Sequence, residues 1–386
     1  MALIPKRPSP ATVQHFRGIL LLPTLAKGFH ALLRKRIMKI LAPQRCPGQL
    51  AGFPQQEILF GSYSLRILGA TAVHQHFSIG VLFVDLAKAF HSLIREMVVG
   101  LSCSSRVTEI WDALHRRGSP DEALRAGLLP GLLATMGAPA YLVRILQNIR
   151  SASWMTIGQH GFLQTSKGTQ PGSPVADAIF HFIMHDVSRC IHQFLEDEGF
   201  LVARNHLHMD VDMVIWSDDL AIPLITRNGN DLVPALLRLL DFVKSQFQQR
   251  GFQLNLSKGK TGIVTTFCGQ DAPQLGKTYL LIAQQGVQHS FHDGTNAFIH
   301  FMPTYRHLGT LYTSDQKLDA EISARIGSAL AAFASISARL LLNRHLPQML
   351  RLQLFRSMIL SKLYFACGSW HDPTGRQLER IRVVLV

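Results

Sequence analysis

Two adjacent aspartates, Asp218 and Asp219, separate two apolar runs, and this stretch constrains the fold more than any other. The runs, 214–216 and 220–224, are strand-like, so the pair is predicted to lie at the tip of a tight hairpin. Like charges about 4 Å apart repel by up to roughly 4 kcal/mol at an effective dielectric constant of about 20. A cation should offset them, and a divalent metal ion is the simplest candidate. An ordinary aspartate-rich turn is the plainer alternative for an isolated pair.

The composition narrows the class of protein. With 386 residues, 47% hydrophobic and 17% charged, the chain is typical of a soluble globular protein with one large domain or two to three smaller ones. Its net charge of +14 and pI near 9.9 indicate a polyanionic partner. Nucleic acid fits best, and an anionic membrane surface is second.

The basic residues are concentrated at the amino terminus. Nine of them precede the first acidic residue, Glu57: Lys6, Arg7, Arg17, Lys27, Arg34, Lys35, Arg36, Lys39 and Arg45. The apolar spacing from Leu25 to Leu41 predicts a basic amphipathic helix among them. This segment is predicted to face phosphates; a merely solvated basic face is the alternative.

Cysteine usage and hydropathy bear on location. Five scattered cysteines with no pair at zinc-ligand spacing indicate a reducing compartment and no structural metal. No signal-peptide pattern opens the chain, and no run of about 18 apolar residues is apparent. We therefore expect an intracellular protein, nuclear or cytoplasmic, that is neither secreted nor membrane-spanning.

Two further segments combine a regular element with residues suited to chemistry. Residues 81–84 form an apolar strand that ends at Asp85, which could mark a functional site or simply cap the next helix. Residues 167–174 form a glycine- and proline-containing turn before an apolar helix face, 175–187. Such a turn lets the backbone approach a ligand closely, although a plain loop-to-helix connection has the same pattern.

The carboxyl-terminal half adds a lysine turn, a hairpin and basic helices. Lys258-Gly259-Lys260-Thr261 is not a phosphate-binding P-loop, because the first glycine is replaced by Leu254. Residues 305–311 are predicted to form a short hairpin. Two helices, 321–340 and 346–364, carry several arginines, which either follow a nucleic-acid backbone or decorate a helical hairpin that closes the core.

The order of these blocks resembles a reverse transcriptase, especially the non-LTR retrotransposon type, over about residues 4–365. Six motif blocks carry the resemblance. The first, in the fingers, consists of 16–21, the helix to Ile40 and 49–53. The other five are 83–90 (first palm motif), 167–174 (second motif), 216–219 (aromatic-x-Asp-Asp motif), 254–261 (fourth motif) and 305–309 (primer grip). The sequence departs from the family at Ser173, where an Asp is common, at Gln170, where the motif's Gln is displaced, and at His91. These departures concern nucleotide positioning, and the three metal carboxylates are kept.

The resemblance implies an α+β fold of the right-hand polymerase type. Residues 1–80 with part of 100–165 would form the fingers, 81–300 the palm with inserted fingers helices, and 301–386 the primer-grip hairpin and a partial helical thumb. The implied activity is RNA-directed DNA polymerisation with two Mg²⁺ ions, an RNA template, a DNA primer and dNTPs. The chain is expected to be a piece of a longer element protein or a truncated copy, and its oligomeric state is left open.

The resemblance also assigns roles to individual residues. They are Asp85, Asp218 and Asp219 as catalytic and metal-binding residues, Lys260 (or Lys258) as the group that protonates or neutralises pyrophosphate, Leu86, Phe90, Gly172, Gln170 and Arg17 as substrate-binding residues, and Tyr305, Leu308 and Gly309 as the primer grip. The bulk of Phe90 would exclude a 2′-hydroxyl, although a core phenylalanine is the plainer alternative. Two rival functions remain: a catalytically degenerate, RNA-binding retroelement remnant, and an RNA-templated RNA polymerase, which Phe90 and the primer-grip motif disfavour.

Overall fold

The computed structural model describes residues 2–5, 16–19, 21–101, 107, 110, 130–151, 154–157, 161–165, 167–170, 172–202, 211–281 and 286–385. Helices and short hairpins alternate in the first half: β1 Ala2–Pro5, β2 Phe16–Ile19, α1 Thr24–Leu41, a 3-10 turn Ala42–Gln44, α2 Ile58–His74, β3 Ser78–Val84, β4 Leu86–Ala87, α3 Ala89–Ser92, α4 Glu96–Val99, α5 Gly131–Thr135, α6 Ala140–Ser151, β5 Trp154–Ile157, β6 Gly161–Gln164 and α7 Pro174–Asp197.

The second half begins with strands and ends with helices. Its elements are β7 Val214–Trp216, β8 Asp219–Thr226, α8 Gly229–Gln249, β9 Gln253–Leu254, β10 Gly262–Thr266, α9 Ala272–Gly276, β11 Gly286–Ser290, β12 Asn296–His300, β13 Thr304–His307, β14 Thr310–Thr313, α10 Asp319–Ile336, α11 Gln348–Phe355, α12 Ser361–Leu363, a 3-10 turn Cys367–Ser369 and α13 Gly375–Leu385. Segments of π-helix, 277–281, 337–341 and 356–360, extend α9, α10 and α11.

A four-stranded antiparallel sheet with the order β10-β3-β8-β7 forms the centre of the molecule. The other paired strands of the described chain are also antiparallel, in two-stranded hairpins or ladders. The predicted α+β class with antiparallel strands is therefore confirmed. The assignment of residue ranges to fingers, palm and thumb stays a prediction.

Both faces of the sheet are covered, which explains why β3 is buried along its whole length and reads as a continuous apolar run. Alternate residues of β3 point to opposite faces. Leu82 and Val84 belong to the main core, together with apolar residues of α1, α7 and α8. Val81 and Phe83 belong to a second cluster, with Leu65 of α2 and residues of β13 and β14.

Pro223 lies inside β8, although proline cannot donate a hydrogen bond to a neighbouring strand. The register explains its presence. Strand β7 pairs with β8 only from residue 219 to residue 221, so β8 has lost that neighbour where Pro223 faces Val81 of β3. At this position β8 is an edge strand.

Most of the predicted elements are confirmed with small changes in their ends, except that α7 continues past the predicted end at residue 187 to Asp197. The basic amphipathic helix spans Thr24–Leu41, and the helix after the glycine turn spans Pro174–Asp197. The motif at 254–261 begins at the end of a short strand, in which Gln253–Leu254 pairs with Leu86–Ala87 before the chain turns toward Asp85.

One helical stretch of the described chain, 319–341, is long and apolar enough by length and composition to cross a membrane. This is weak evidence, since core helices of soluble proteins meet the same criteria. At its amino-terminal end Asp319 pairs with Arg380 of α13, at 3.2 Å, and Glu321 pairs with Arg325, at 2.6 Å.

Candidate active site

Strand pairing brings Asp85 and Asp219 to one end of the sheet. Val84 of β3 faces Leu220 of β8, so the next residues outward on the two strands are Asp85 and Asp219. Facing residues on antiparallel strands have Cα atoms about 4.5 to 5.5 Å apart. Residues 134 positions apart in the chain therefore lie side by side.

Asp218 lies in the turn that joins β7 to β8. Trp216 pairs with Asp219, which leaves Ser217 and Asp218 as a two-residue turn, with Ser217 at φ 57°. The predicted hairpin with the aspartates at its tip is thus confirmed. A non-glycine residue at positive φ is uncommon, and here it closes the turn that places Asp218 beyond the end of the sheet, next to Asp219 at the first position of β8.

The electrostatics of Asp219 reflect the crowding of acids. Partial burial of its carboxylate, followed by the charges of Asp218 and then Asp85, raises the pKa of Asp219 to about 6, while Lys260 lowers it. This burial is incomplete, because part of the Asp219 side chain remains open to solvent. The free energy of the folded state therefore falls when Asp219 binds a proton or when a cation approaches.

Asp85 is held by the segment that leads into β10. The amide of Asn255 donates to Asp85 Oδ2 at 3.1 Å, and the Lys260 ammonium lies 3.3 Å from Asp85 Oδ1. Main-chain contacts fix the same residue, since Asp85 N donates to Thr261 Oγ1 at 3.1 Å and Asn255 N donates to Asp85 O at 2.9 Å. Both carboxylate oxygens of Asp85 thus have a partner in place.

The donor set suits a hard divalent cation, because carboxylate oxygens are the ligands that Mg²⁺ prefers and because the mutual repulsion around Asp219 would be relieved by positive charge. In this conformation, however, the described residues contain no group of three or more His, Cys, Asp or Glu side chains placed to hold a metal ion. The cation beside Asp85 is the ammonium of Lys260. The chemistry of the site fits magnesium, its geometry is not pre-formed, and magnesium binding stays a prediction.

The β13–β14 hairpin carries Tyr305 to the same place. Its ring stacks on Phe83 with centroids 4.2 Å apart, and Phe83 precedes Asp85 by two residues on β3. Burial, together with the charges of Asp85 and Asp219, raises the pKa of Tyr305 above its usual range. The phenol therefore stays protonated and can donate a hydrogen bond beside the acids.

The turn of this hairpin consists of Leu308 and Gly309, at φ 51° and φ 79°. From the sequence, both residues are predicted to hold a primer directly. The side chain of Leu308 instead packs into the cluster formed by Val81, Phe83 and their neighbours, so only its main chain can serve a ligand. Gly309 is exposed.

The glycine turn is joined to the segment that follows Asp85. Gly168 N donates to Leu93 O and Thr169 N donates to Phe90 O, both at 2.7 Å. Gly168 has φ +80°, and a Cβ there would lie 2.6 Å from His91 O, so this position requires glycine. Phe90 is half-buried and stacks on Phe180 of α7 at 4.7 Å.

The remaining substrate-binding candidates differ in placement. Gln170 is half-buried and Gly172, at φ +102°, is exposed on the glycine turn. Leu86 is buried in the main core and pairs through its main chain with Leu254, so its predicted contact with substrate cannot come from the side chain. The side chain of Arg17 lies outside the described residues.

Several contributors to the site were missed by sequence reasoning. Asn255 and Thr261 were included in a motif but given no role, although a polar residue just after a short strand is a usable signal. His30 of α1 was also missed: its Nδ1 is 2.8 Å from Ser173 Oγ in a buried hydrogen bond. Only the packing of α1 on α7 brings these two residues together.

Comparisons with known proteins are sparse. No protein-family model matches the chain, and no curated protein matches it. Among solved structures it is similar to "Structure of telomerase from Candida albicans in complexe with TWJ fragment of telomeric RNA", with a TM-score of 0.36 and 9% identity, over 94% of this chain and 50% of that chain. The chain thus spans about half the length of that structure's chain. A similarity of this size fixes neither the fold nor the function.

Proposed function

We propose that this chain is an RNA-directed DNA polymerase of the reverse transcriptase kind, which adds dNTPs to the 3′-hydroxyl of a DNA primer on an RNA template. The proposal depends on one observation above all. Asp85, Asp219 and Lys260 come from three separate segments and converge at one end of an antiparallel sheet, with Asp218 in the adjoining turn. The net charge of +14 suits a nucleic-acid partner.

Phosphoryl transfer depends on positioning and on neutralising charge. Asp85, Asp218 and Asp219 are the residues that would hold two Mg²⁺ ions, which when bound stabilise charge on the attacking and leaving oxygens. Asn255 keeps the carboxylate of Asp85 oriented. Lys260, half-exposed beside Asp85, is placed to neutralise or protonate the leaving pyrophosphate.

The substrate would lie against the surfaces around these acids. Phe90 is the residue that would exclude a 2′-hydroxyl, and the exposed Gly172 beside Gln170 would lie against the nucleotide or the template. Tyr305 and the main chain at Gly309 would hold the primer end. Arg17 and the exposed Lys27 are the candidates for phosphates of the triphosphate or of the template.

The finer assignments belong to the same proposal. They are the non-LTR retrotransposon type, the division into fingers, palm and thumb, and an intracellular location, nuclear or cytoplasmic. Steep salt dependence of template binding is expected, because contacts from Lys and Arg to phosphate release counterions.

Primer extension tests the function. Purified chain, an RNA template with an annealed DNA primer, dNTPs and Mg²⁺ should give extended primer. We expect Asp85→Ala and Asp218→Ala each to lower the rate by at least about 100-fold, as removal of one group that stabilises the transition state commonly does. Asp271→Asn is the matched control, because Asp271 is exposed and its contact is with Asn230, remote from the site. Extension by Asp218→Ala at the wild-type rate would contradict the assignment of the carboxylates.

A second candidate function is RNA binding without turnover, as in a degenerate retroelement copy. The observation that favours it is the ion pair of Lys260 with Asp85, which satisfies an oxygen that a metal ion would otherwise bind. In that case the folded chain would bind RNA in a filter assay with strong salt dependence, yet would extend no primer at any Mg²⁺ concentration.

A further inference from the structure

The outer edge of strand β14 is covered by side chains instead of by another strand. Leu311 N donates to Glu321 Oε2 at 2.6 Å, and Leu311 O accepts from Arg66 Nη2 at 3.1 Å. In the turn before it, Gly309 O accepts from Arg325 Nη2. Main-chain groups of an exposed edge are normally left to water or to another strand. Here three charged side chains form hydrogen bonds with the main-chain groups of Gly309 and Leu311.

These side chains come from two helices that flank the hairpin. Arg66 lies on α2, whereas Glu321 and Arg325 lie on the first turns of α10. Glu321 is 1% exposed, and it pairs with Arg325 at 2.6 Å and with Arg66 at 3.7 Å. A carboxylate so deeply buried is costly unless it is paired and hydrogen-bonded, and both oxygens of Glu321 have partners.

The opposite side of the same hairpin faces the acids. Tyr305 faces Tyr312 across the hairpin, stacks on Phe83, and lies close enough to Asp85 and Asp219 for their charges to act on its hydroxyl. The hairpin has only two strands, so a shift of its outer edge moves Tyr305 as well. A change in the contacts of Glu321 should therefore change the distance between the hairpin and the carboxylates of Asp85 and Asp219.

We propose that Glu321, with Arg66 and Arg325, is a positioning cluster that sets the hairpin 304–313 against Asp85 and Asp219 and so fixes where a primer 3′ end lies. This inference rests on the proposed polymerase function. Glu321 touches no reacting atom and acts through the main chain of Gly309 and Leu311. A misplacement of about 1 Å by a change remote from the chemistry can cost on the order of 100-fold in rate.

The test is steady-state and single-turnover primer extension by Glu321→Gln. Glutamine keeps the shape of the side chain and removes the charge that holds both arginines. We expect kcat to fall by about 10-fold to 100-fold, with the KM for dNTP unchanged within about 2-fold, because only the placement of the primer end is altered.

A matched control separates positioning from stability. Asp186→Asn breaks another largely buried ion pair, with Arg250 at 2.5 Å, between α7 and the end of α8. Its urea-unfolding midpoint should fall as that of Glu321→Gln does, while its kcat should stay at the wild-type value. If Glu321→Gln fails to fold, Arg325→Lys replaces it, since lysine keeps the charge beside Glu321 but loses the guanidinium contact with Gly309 O.

The outcomes distinguish the two proposals. Wild-type extension with a selective loss of kcat in Glu321→Gln or Arg325→Lys supports the positioning role. Wild-type extension with kcat unchanged in these variants, or lowered equally in Asp186→Asn, overturns it and leaves the polymerase assignment intact. A folded wild-type chain that extends no primer overturns both.

Discussion

Asparagine at position 219 should remove a built-in pH dependence of stability. Burial and the charges of Asp218 and Asp85 raise the pKa of Asp219 to about 6, from an ordinary value of 3.8. The folded chain therefore keeps a proton that the unfolded chain has lost. The stabilisation by that proton is complete below pH 3.8 and is lost as the pH rises through about 6. Asparagine has nearly the same shape and carries no charge.

The size of the effect follows from this difference in pKa. A change of that size corresponds to roughly 3 kcal/mol if nothing screens the charge. The side chain is exposed, so solvent screening reduces the expected contribution to about 1 kcal/mol. Relative to wild type, Asp219→Asn should therefore gain about 1 kcal/mol in free energy of unfolding between pH 4 and pH 7.

Urea denaturation followed by circular dichroism at pH 4 and pH 7 measures this difference. Asp271→Asn, an exposed aspartate outside the site, should show no comparable gain. An equal difference in stability between Asp219→Asn and wild type at both pH values would contradict a raised pKa of Asp219. A raised pKa would also be contradicted if Asp219→Asn lost stability relative to wild type as the pH rises, because the three acids would then not repel one another in the folded chain.

Three further changes test other parts of the structure. His307 is buried, neither of its ring nitrogens has a hydrogen-bond partner among the described residues, and burial lowers its pKa from 6.5 to about 3. As the pH falls below 6.5 the unfolded chain gains a proton that the folded chain does not, so His307 alone should contribute a loss of about 2 kcal/mol in free energy of unfolding between pH 7 and pH 5. In urea unfolding, His307→Leu should therefore gain about 2 kcal/mol relative to wild type over this pH range. Gly168→Ala should lower the free energy of unfolding by at least about 2 kcal/mol, and by more than Gly137→Ala does. Both glycines have positive φ, but only at Gly168 would a Cβ meet a neighbour, His91 O at 2.6 Å. Equal losses for the two variants in urea unfolding would contradict this explanation. Under the proposed function, Phe90→Ala should lower the preference for dNTPs over NTPs by at least about 10-fold in primer extension, because the variant lacks the ring proposed to exclude the 2′-hydroxyl. Phe60→Ala removes an exposed ring on α2 and should leave the preference unchanged.

The local sequence pattern was sufficient to predict the helices and hairpins whose formation depends on residues close together in the chain. Helical periodicity predicted α1 and α7 within one residue at their starts, and the strand-like runs around Asp218 predicted the hairpin. The same pattern failed where burial depends on distant contacts. Leu86 and Leu308 looked available to a ligand, but both side chains are buried in clusters built from other segments.

The amino-acid sequence is sufficient to predict most of the secondary-structure elements, the excess of positive charge and the identity of the acidic residues. Three contacts become visible only in the folded chain: Asp85 lies beside Asp219, Asn255 and Lys260 contact the carboxylate of Asp85, and Glu321 of α10 binds the edge of the hairpin. The physical reason is that strand register and helix packing join residues far apart in the chain. Periodicity within one segment carries no information about which other segment it will pair with.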